Sequence, residues 1–333
     1  MIFSDINDIF IGIDGGASKT RGVIFSGDGK TIAQSTILRG SNLTIYKSKA
    51  VERICLIIHD LVNKSKIDLG SVRCMGLGIA GASDEDMRDL LFKELDKLKI
   101  SEKTLLANDA EAAYEVCCPN NTGVLVTVGT GVICIGKNQS GKLLRVAGKG
   151  HYSGDIGSGF WIGYQSILKL SMDEGARLDY PEDCMELLSL ICNKLNINNL
   201  DDDFKGVMDS SECVRDVASL SKSIIKLAKT NEIALTIIQE STTAIADYII
   251  DLVNQLEYNT KNIILSTNGS IIKNEYFRQS LNDALQFNLR NITWISSKIS
   301  PAYGAAILAA KYKNINIKLS DIADKEGTLE VRS

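Results

Sequence analysis

The sequence has few features of a secreted or membrane-spanning protein. Its 333 residues include only three prolines, and no apolar run reaches the roughly 18 residues that cross a bilayer. Asp5 and Asp8 occupy the N-terminal region in which a signal peptide carries positive charge. These absences predict a cytoplasmic protein that has no membrane segment.

The cysteines and the net charge exclude further classes. The eight cysteines show neither paired spacing nor a C-x-x-C motif, so we expect no disulfide framework and no zinc site. We interpret them as small buried hydrophobic side chains. The formal charge of −4 argues against a general surface for nucleic acid or anionic membranes. A small molecule is the expected partner.

Two segments of the chain share one pattern, in which apolar strands flank a turn rich in Gly, Ser, Thr and Asp. The first turn is Asp14-Gly15-Gly16-Ala17-Ser18-Lys19-Thr20, and the second is Gly129-Thr130-Gly131. Turns of this kind expose backbone N–H groups that can bind phosphate oxygens. The repetition predicts two similar lobes that face a shared cleft. Nucleotide-dependent phosphoryl transfer is therefore the leading hypothesis.

The hydrophobic pattern predicts an α/β protein with two domains. The N-terminal lobe is expected over residues 1–115, with a helix at about 301–315 packing back on it. The second lobe is expected over 116–300, with a helical insertion at about 158–257. Ser83 is the predicted cap of the helix that follows it. The other predicted elements are strands at about 9–15, 20–26, 31–38, 72–79, 104–107, 123–129, 131–137, 142–147, 262–266 and 292–295, and helices at about 46–64, 241–256 and 302–311.

Two common nucleotide motifs fit the sequence less well. A Walker A motif fails at Gly29-Lys30-Thr31, because residue 24 is Ile where the motif requires Gly. The segment Gly76-Leu-Gly78-Ile-Ala-Gly81 matches G-x-G-x-x-G and lies between a predicted strand and a helix. A dinucleotide site there would leave both glycine turns unexplained, so we interpret this segment as a close-packed strand-to-helix turn.

With these motifs in place, the chain resembles the actin-like sugar-kinase (ASKHA) superfamily over nearly its whole length. Within it, the chain is similar to the family of N-acetylglucosamine kinases and acyl-CoA reductase/dehydratase activator ATPases, the BadF/BadG/BcrA/BcrD type. The stretch Gly148-Lys-Gly150-His-Tyr-Ser-Gly154-Asp155-Ile-Gly157-Ser-Gly159 resembles the long glycine-rich motif of this family. The resemblance implies a ribonuclease H-like fold with two lobes, each a mixed five-stranded sheet with helices, and a cleft between them.

The resemblance also implies roles for individual residues. Asp109, in Asn108-Asp109-Ala110, would be the catalytic base and would contact the sugar. Asp14 would hold Mg²⁺. Asn42, Gly150 and Asp155 would bind sugar hydroxyls. The expected ATP-binding residues are Gly15, Gly16, Ser18, Lys19, Thr20, Gly129, Thr130, Gly131, Gly269 and Ser270.

The sequence therefore predicts an ATP- and Mg²⁺-dependent sugar kinase. N-acetylglucosamine or a related hexose is the first substrate class, and a sugar acid such as 2-keto-3-deoxygluconate is the alternative. A second class is the activator ATPase, whose relatives hold an iron–sulfur cluster between subunits through cysteines. A third class is a non-catalytic sugar sensor. The presence of all three candidate carboxylates argues against this class, namely Asp14, Asp109 and Asp155. The resemblance also permits a homodimer.

Overall fold

The computed structural model describes residues 2–118, 123–138, 140–152, 154–172, 181–258, 262–317, 322 and 330–332. The chain divides into two compact units. The discontinuous unit comprises residues 1–121 and 295–333, and the inserted unit comprises residues 122–294. None of the described helices has the length and apolar character of a membrane span.

The described elements alternate between strands and helices along both units. The strands are β1 (Ile2–Phe3), β2 (Ile9–Gly15), β3 (Thr20–Ser26), β4 (Thr31–Ile37), β5 (Val72–Ile79), β6 (Thr104–Ala107), β7 (Gly123–Val128), β8 (Val132–Lys137), β9 (Leu143–Ala147), β10 (Ile263–Asn268), β11 (Ile292–Ser296), β12 (Ile315–Asn316) and β13 (Glu330–Arg332). The helices are α1 (Leu43–Tyr46), α2 (Ser48–Ser65), α3 (Glu85–Lys97), α4 (Asp109–Cys117), α5 (Gly159–Met172), α6 (Pro181–Leu195), α7 (Leu200–Asp209), α8 (Cys213–Ser219), α9 (Ser221–Leu227), α10 (Glu232–Gln255), α11 (Glu275–Leu285) and α12 (Pro301–Tyr312).

The sheet of the discontinuous unit has the strand order β4–β3–β2–β5–β6. Strands β2, β3 and β4 form an antiparallel meander, whereas β5 and β6 run parallel to β2. Because β2, β5 and β6 are parallel, their carboxyl ends lie along one edge of the sheet. Residues that follow these strands are therefore brought together.

Glycines allow helices to pack closely on both faces of this sheet. A methyl group at Gly12 of β2 would lie 1.8 Å from the Ala302 carbonyl oxygen of α12, and one at Gly76 of β5 would lie 1.8 Å from that of Ala305. On the other face, a methyl group at Gly22 of β3 would come within 2.5 Å of Ile57 in α2. Helix α12 thus completes the core that the N-terminal strands begin.

The sheet of the inserted unit repeats the same plan. Strands β7, β8 and β9 form an antiparallel meander, and β10 runs parallel to β7 on its other side. Strand β11 follows β10 in the strand order. The carboxyl ends of β7 and β10 therefore lie side by side, as those of β2 and β5 do in the first unit.

Several predicted boundaries are wrong, and each error has a local cause. The cap of α3 is Asp84, not Ser83, because the Asp84 side chain accepts a hydrogen bond from the Met87 amide. Helix α10 begins at Glu232, well before the predicted residue 241, because Asn231 caps it through the Ala234 amide. Strand β10 continues to Asn268, which is paired with Thr127 of β7.

Candidate active site

Two carboxylates lie at the carboxyl edge of the sheet in the discontinuous unit. Asp14, near the end of β2, is paired with Gly78 of β5, and Gly78 is paired with Ala107 of β6. Asp109 follows β6 as the first residue of α4. Burial raises the pKa of Asp14 to about 7, and the negative charge of Asp109 contributes in the same direction. The structure therefore brings the predicted metal ligand and the predicted base into electrostatic contact.

The cap of α4 is supplied by the residue before Asp109. The Asn108 Oδ1 atom accepts a hydrogen bond from the Ala110 amide at 3.0 Å. The Glu111 carboxylate reaches back to accept from the Asn108 amide at 3.4 Å, which completes a capping box. The Asp109 Oδ1 atom accepts a hydrogen bond from the same Ala110 amide at 3.0 Å. The carboxylate of Asp109 therefore shares this cap with Asn108 and lies at the positive end of a helix dipole.

The first glycine turn is held from behind by the segment that precedes α1. The carbonyl oxygen of Gly16 accepts hydrogen bonds from the Ser41 amide at 2.9 Å and the Asn42 amide at 3.1 Å. The Asn42 Oδ1 atom in turn accepts from the amides of Thr44 and Ile45, at 2.9 and 3.1 Å. Asn42 thus lies against the turn, and its oxygen is used as a helix cap.

Thr20 differs from its predicted role as a phosphate ligand. Its side chain is fully buried, and its hydroxyl lies 3.0 Å from the Arg39 carbonyl oxygen and 2.9 Å from the Ser41 hydroxyl. Thr20 therefore braces the turn from within the protein. Ser18 and Lys19, by contrast, are exposed at its tip.

Gly16 and Gly129 are each the first residue after a strand, β2 and β7 respectively. The packing of the described residues does not require glycine at either position. A methyl group at either position would meet no other described atom within 4 Å, and neither residue has a positive φ. At Gly15, in contrast, a methyl group would lie 2.0 Å from the Ser41 hydroxyl. The open space at Gly16 and Gly129 fits a requirement imposed by a ligand rather than by the fold.

The second turn is joined to the N-terminus of α5. The carbonyl oxygens of Gly129 and Thr130 accept hydrogen bonds from the amides of Gly159 and Phe160, at 2.8 and 3.0 Å. Gly131 lies beside Asp155, whose Oδ2 atom would be 2.7 Å from a methyl group at this position. The turn and the glycine-rich segment 148–159 therefore form one assembly.

Asp155 is the charged centre of that assembly. Its side chain is only 8% exposed, and its carboxylate accepts hydrogen bonds from the amides of Gly150, Val132 and Lys149. Burial raises the pKa of Asp155, while these hydrogen bonds and the charge of Arg145 oppose the shift. Within the described part of the chain, its Oδ1 atom has no hydrogen-bond partner. Gly150, beside it, has φ +105° and open space around it.

Gly269 and Ser270 lie next to the second turn. Gly269 has φ +99°, and a methyl group there would come 2.3 Å from the Val128 carbonyl oxygen, so both conformation and packing require glycine. The Ile271 amide donates to the same oxygen at 3.0 Å. Ser270 is exposed. The structure thus gathers the predicted ligands of the inserted unit at the carboxyl edge of β7 and β10.

Sequence reasoning missed Ser41 and Arg145. Ser41 is fully buried behind the first turn, and its only signal is the small-residue string Gly40-Ser41-Asn42. Arg145 lies in β9 and donates a hydrogen bond to the Gly148 carbonyl oxygen at the start of the glycine-rich segment. Its position in a stretch that also contains Lys142 and Lys149 could have indicated an anion site.

We expect the Asp14→Asn variant to gain stability at high pH. Burial raises the pKa of Asp14 in the folded protein to about 7, above the ordinary value of an aspartate, so wild-type stability falls as pH rises between these two values. The amide does not titrate, and its advantage in unfolding free energy should grow between pH 4.5 and 8 by about 2–4 kcal/mol. Urea unfolding of both proteins at pH 4.5 and pH 8 measures this difference in unfolding free energy.

Asp89→Asn, which removes an exposed carboxylate from α3, is the control for loss of one negative charge. An equal stability change for Asp14→Asn at pH 4.5 and pH 8 would show that Asp14 does not titrate in this range.

Comparisons with known proteins agree over nearly the whole chain. The sequence profile of the BadF/BadG/BcrA/BcrD ATPase family matches residues 11–309. An N-acetylmuramic acid/N-acetylglucosamine kinase from Clostridium acetobutylicum is 28% identical over 306 residues, which cover 90% of this chain and 97% of the relative. An N-acetyl-D-glucosamine kinase from Dictyostelium discoideum is 26% identical over 326 residues, 92% of this chain and 99% of the relative.

A solved structure shows the same architecture. A protein from Chromobacterium violaceum that is assigned as an N-acetylglucosamine kinase superposes with a TM-score of 0.70 at 19% identity. The match covers 92% of this chain and all of the other protein. At this identity the likeness concerns the fold, and it extends through both units.

Proposed function

This chain belongs to the BadF/BadG/BcrA/BcrD ATPase family, and we propose that it is an ATP-dependent kinase that phosphorylates a hydroxyl group of N-acetylglucosamine or a related hexose. The prediction of an actin-like α/β fold is confirmed by the structural likeness. The two relatives matched by sequence are kinases of N-acetylated amino sugars. Their names supply the substrate class of the proposal.

The observation that carries the proposal is the pair of open glycines, Gly16 and Gly129. Each lies at the carboxyl end of a strand, in a turn with space around it that the described protein atoms do not fill. Backbone amides in such turns can donate hydrogen bonds to phosphate oxygens without a side chain intervening. In this proposal each turn binds phosphate oxygens of ATP, with Ser18 and Lys19 adding donors and Gly269 and Ser270 lying beside the nucleoside.

The carboxylates of Asp14 and Asp109 fit a magnesium ion. Among the described residues no group of three or more His, Cys, Asp or Glu side chains forms a metal site. This agrees with Mg²⁺, which commonly takes one or two carboxylates and completes its shell with water and substrate phosphates. The raised pKa of Asp14 reflects burial and the nearby charge of Asp109, both of which a cation would offset. Asp14 would hold the ion, which would neutralise phosphate charge.

Asp109 would accept the proton of the attacking sugar hydroxyl. A carboxylate at the end of β6 and at the start of a capped helix is held firmly in place. Asp155 and the amide of Asn42 would bind other hydroxyls, since a carboxylate accepts and an amide nitrogen donates hydrogen bonds. Gly150 would allow the sugar to approach the backbone.

No described feature favours the activator ATPase. The family resemblance implies that activators hold their cluster through cysteines between subunits, which requires accessible thiols. Five of the eight cysteines here are buried, namely Cys74, Cys117, Cys118, Cys134 and Cys184. Burial raises the pKa of the Cys74 and Cys134 thiols to about 12, which disfavours the thiolate that binds iron.

We expect ADP release to be slow without sugar and strongly stimulated by an N-acetylated hexosamine. A kinase must protect the reacting phosphate from water until the acceptor hydroxyl is in place. A coupled ADP-release assay over a panel of hexoses, amino sugars and sugar acids measures this. Equal ATP turnover with and without every sugar would contradict the proposed function.

A further inference from the structure

Two cationic side chains flank the buried carboxylate of Asp155. Arg145 of β9 is exposed, and its guanidinium group donates a hydrogen bond to the Gly148 carbonyl oxygen. It is close enough for its charge to act on Asp155. Lys149 donates its backbone amide to the Asp155 carboxylate, and its side chain is exposed. Both cations therefore lie near Asp155, Arg145 in β9 and Lys149 in the glycine-rich segment.

The contacts among described residues do not use all the hydrogen-bond donors and acceptors of Arg145, Lys149 and Asp155. Neither Arg145 nor Lys149 forms an ion pair with any described residue, although ion pairs occur elsewhere on the surface, such as Lys47 with Asp84. The Arg145 guanidinium group has five N–H donors, and one of them donates to the Gly148 carbonyl oxygen. Asp155 Oδ1 is buried, and the described residues supply it with no donor. A hydrogen-bond acceptor and two cations thus lie together beside the open space at Gly150.

We propose that Arg145, assisted by Lys149, binds a carboxylate on the sugar while Asp155 accepts a hydrogen bond from a hydroxyl of the same molecule. This inference rests on the proposed sugar-kinase activity and narrows its substrate class to N-acetylated hexosamines that carry an acidic substituent. A guanidinium group matches the two oxygens of a carboxylate in a planar, forked geometry. A neutral sugar would use Asp155 alone and would bind more weakly.

The test compares N-acetylmuramic acid, which carries a carboxylate, with N-acetylglucosamine, which does not. In wild type we expect the higher kcat/KM for the acid. Arg145→Gln should raise the KM of the acid by about 10–100-fold, because a charge-assisted hydrogen bond is lost. The same variant should change the KM of N-acetylglucosamine by less than about threefold. Arg145→Lys keeps the charge without the fork and should lie between wild type and Arg145→Gln.

Lys142→Gln is the matched control, because Lys142 is an exposed cation just before the same strand and has no contact with Asp155 among the described residues. It should leave both sugars unaffected. Lys149→Gln should affect the acid alone, to a smaller extent than Arg145→Gln.

The alternatives give different results. If Arg145 binds ATP, its loss will raise the KM of ATP with either sugar. If it only braces Gly148, both sugars will suffer equally and the melting temperature will fall. Either result overturns the inference while leaving the kinase activity established. If wild type phosphorylates neither sugar, the proposed function fails and the inference fails with it.

Discussion

Replacing Asp109 by Asn is expected to lower the turnover of sugar by about 10²–10⁴-fold, the usual contribution of a positioned acid or base. The amide preserves the size and the polar character of the side chain but cannot take up the hydroxyl proton. Helix α4 should remain intact, because its cap is made by Asn108 and Glu111. The KM of ATP is therefore expected to change little.

Steady-state kinetics with each substrate varied, together with a thermal melt, tests this expectation. Glu111→Gln is the matched control, since it removes a carboxylate from the same helical turn and retains an oxygen that can accept from the Asn108 amide. It should keep most of the activity. Turnover near the wild-type level in Asp109→Asn would remove Asp109 from the mechanism.

The second large effect is expected from adding one methyl group to either open glycine. Gly16→Ala and Gly129→Ala place a carbon where no described atom lies within 4 Å, so the folded protein accommodates each change. The same carbon would occupy the space proposed for phosphate oxygens. We expect kcat/KM for ATP to fall at least tenfold, as lost or displaced backbone hydrogen bonds to a charged group predict.

Gly206→Ala separates this effect from a general cost of glycine replacement. Gly206 lies in α7, and a methyl group there also meets no described atom within 4 Å. This variant should retain full ATP kinetics, and alanine should stabilise the helix slightly. For all three variants, calorimetry measures the nucleotide affinity and a melting curve measures the thermal stability. Unchanged ATP kinetics in both turn variants would contradict phosphate binding at these turns.

The sequence was most informative where local pattern and packing point the same way. The bounds of β2, β3 and β5 agree with the prediction, because short apolar runs end at glycine turns in each case. The structure shows that α4 begins at Asp109 with a capping box formed by Asn108 and Glu111, a pattern that is local in the sequence. The carboxyl-edge position of Asp14 and Asp109 follows from parallel strand order.

The rest depended on partners distant in sequence. Thr20 looks like its neighbours Ser18 and Lys19 in the sequence, yet Arg39 and Ser41 bind its hydroxyl and bury it. Asp155 was predicted as a sugar ligand, but the sequence does not show that its carboxylate also holds the amides of Val132 and Lys149. Such long-range contacts have no local signature, so these roles appear only in the folded chain.

The packing of α12 against the sheet of the discontinuous unit has a consequence for folding during synthesis on the ribosome. Residues 122–294 are contiguous and form the inserted unit. In the discontinuous unit, by contrast, the core around Gly12 and Gly76 is complete only after Ala302 and Ala305 of α12 have been synthesised. Because chains are made from the N-terminus, the inserted unit can fold first, while the strands made earliest remain without their covering helix. Nascent chains that end before α12 should therefore expose the face of β2 and β5 to chaperones, and ribosome-arrested chains of increasing length would reveal when this face becomes protected.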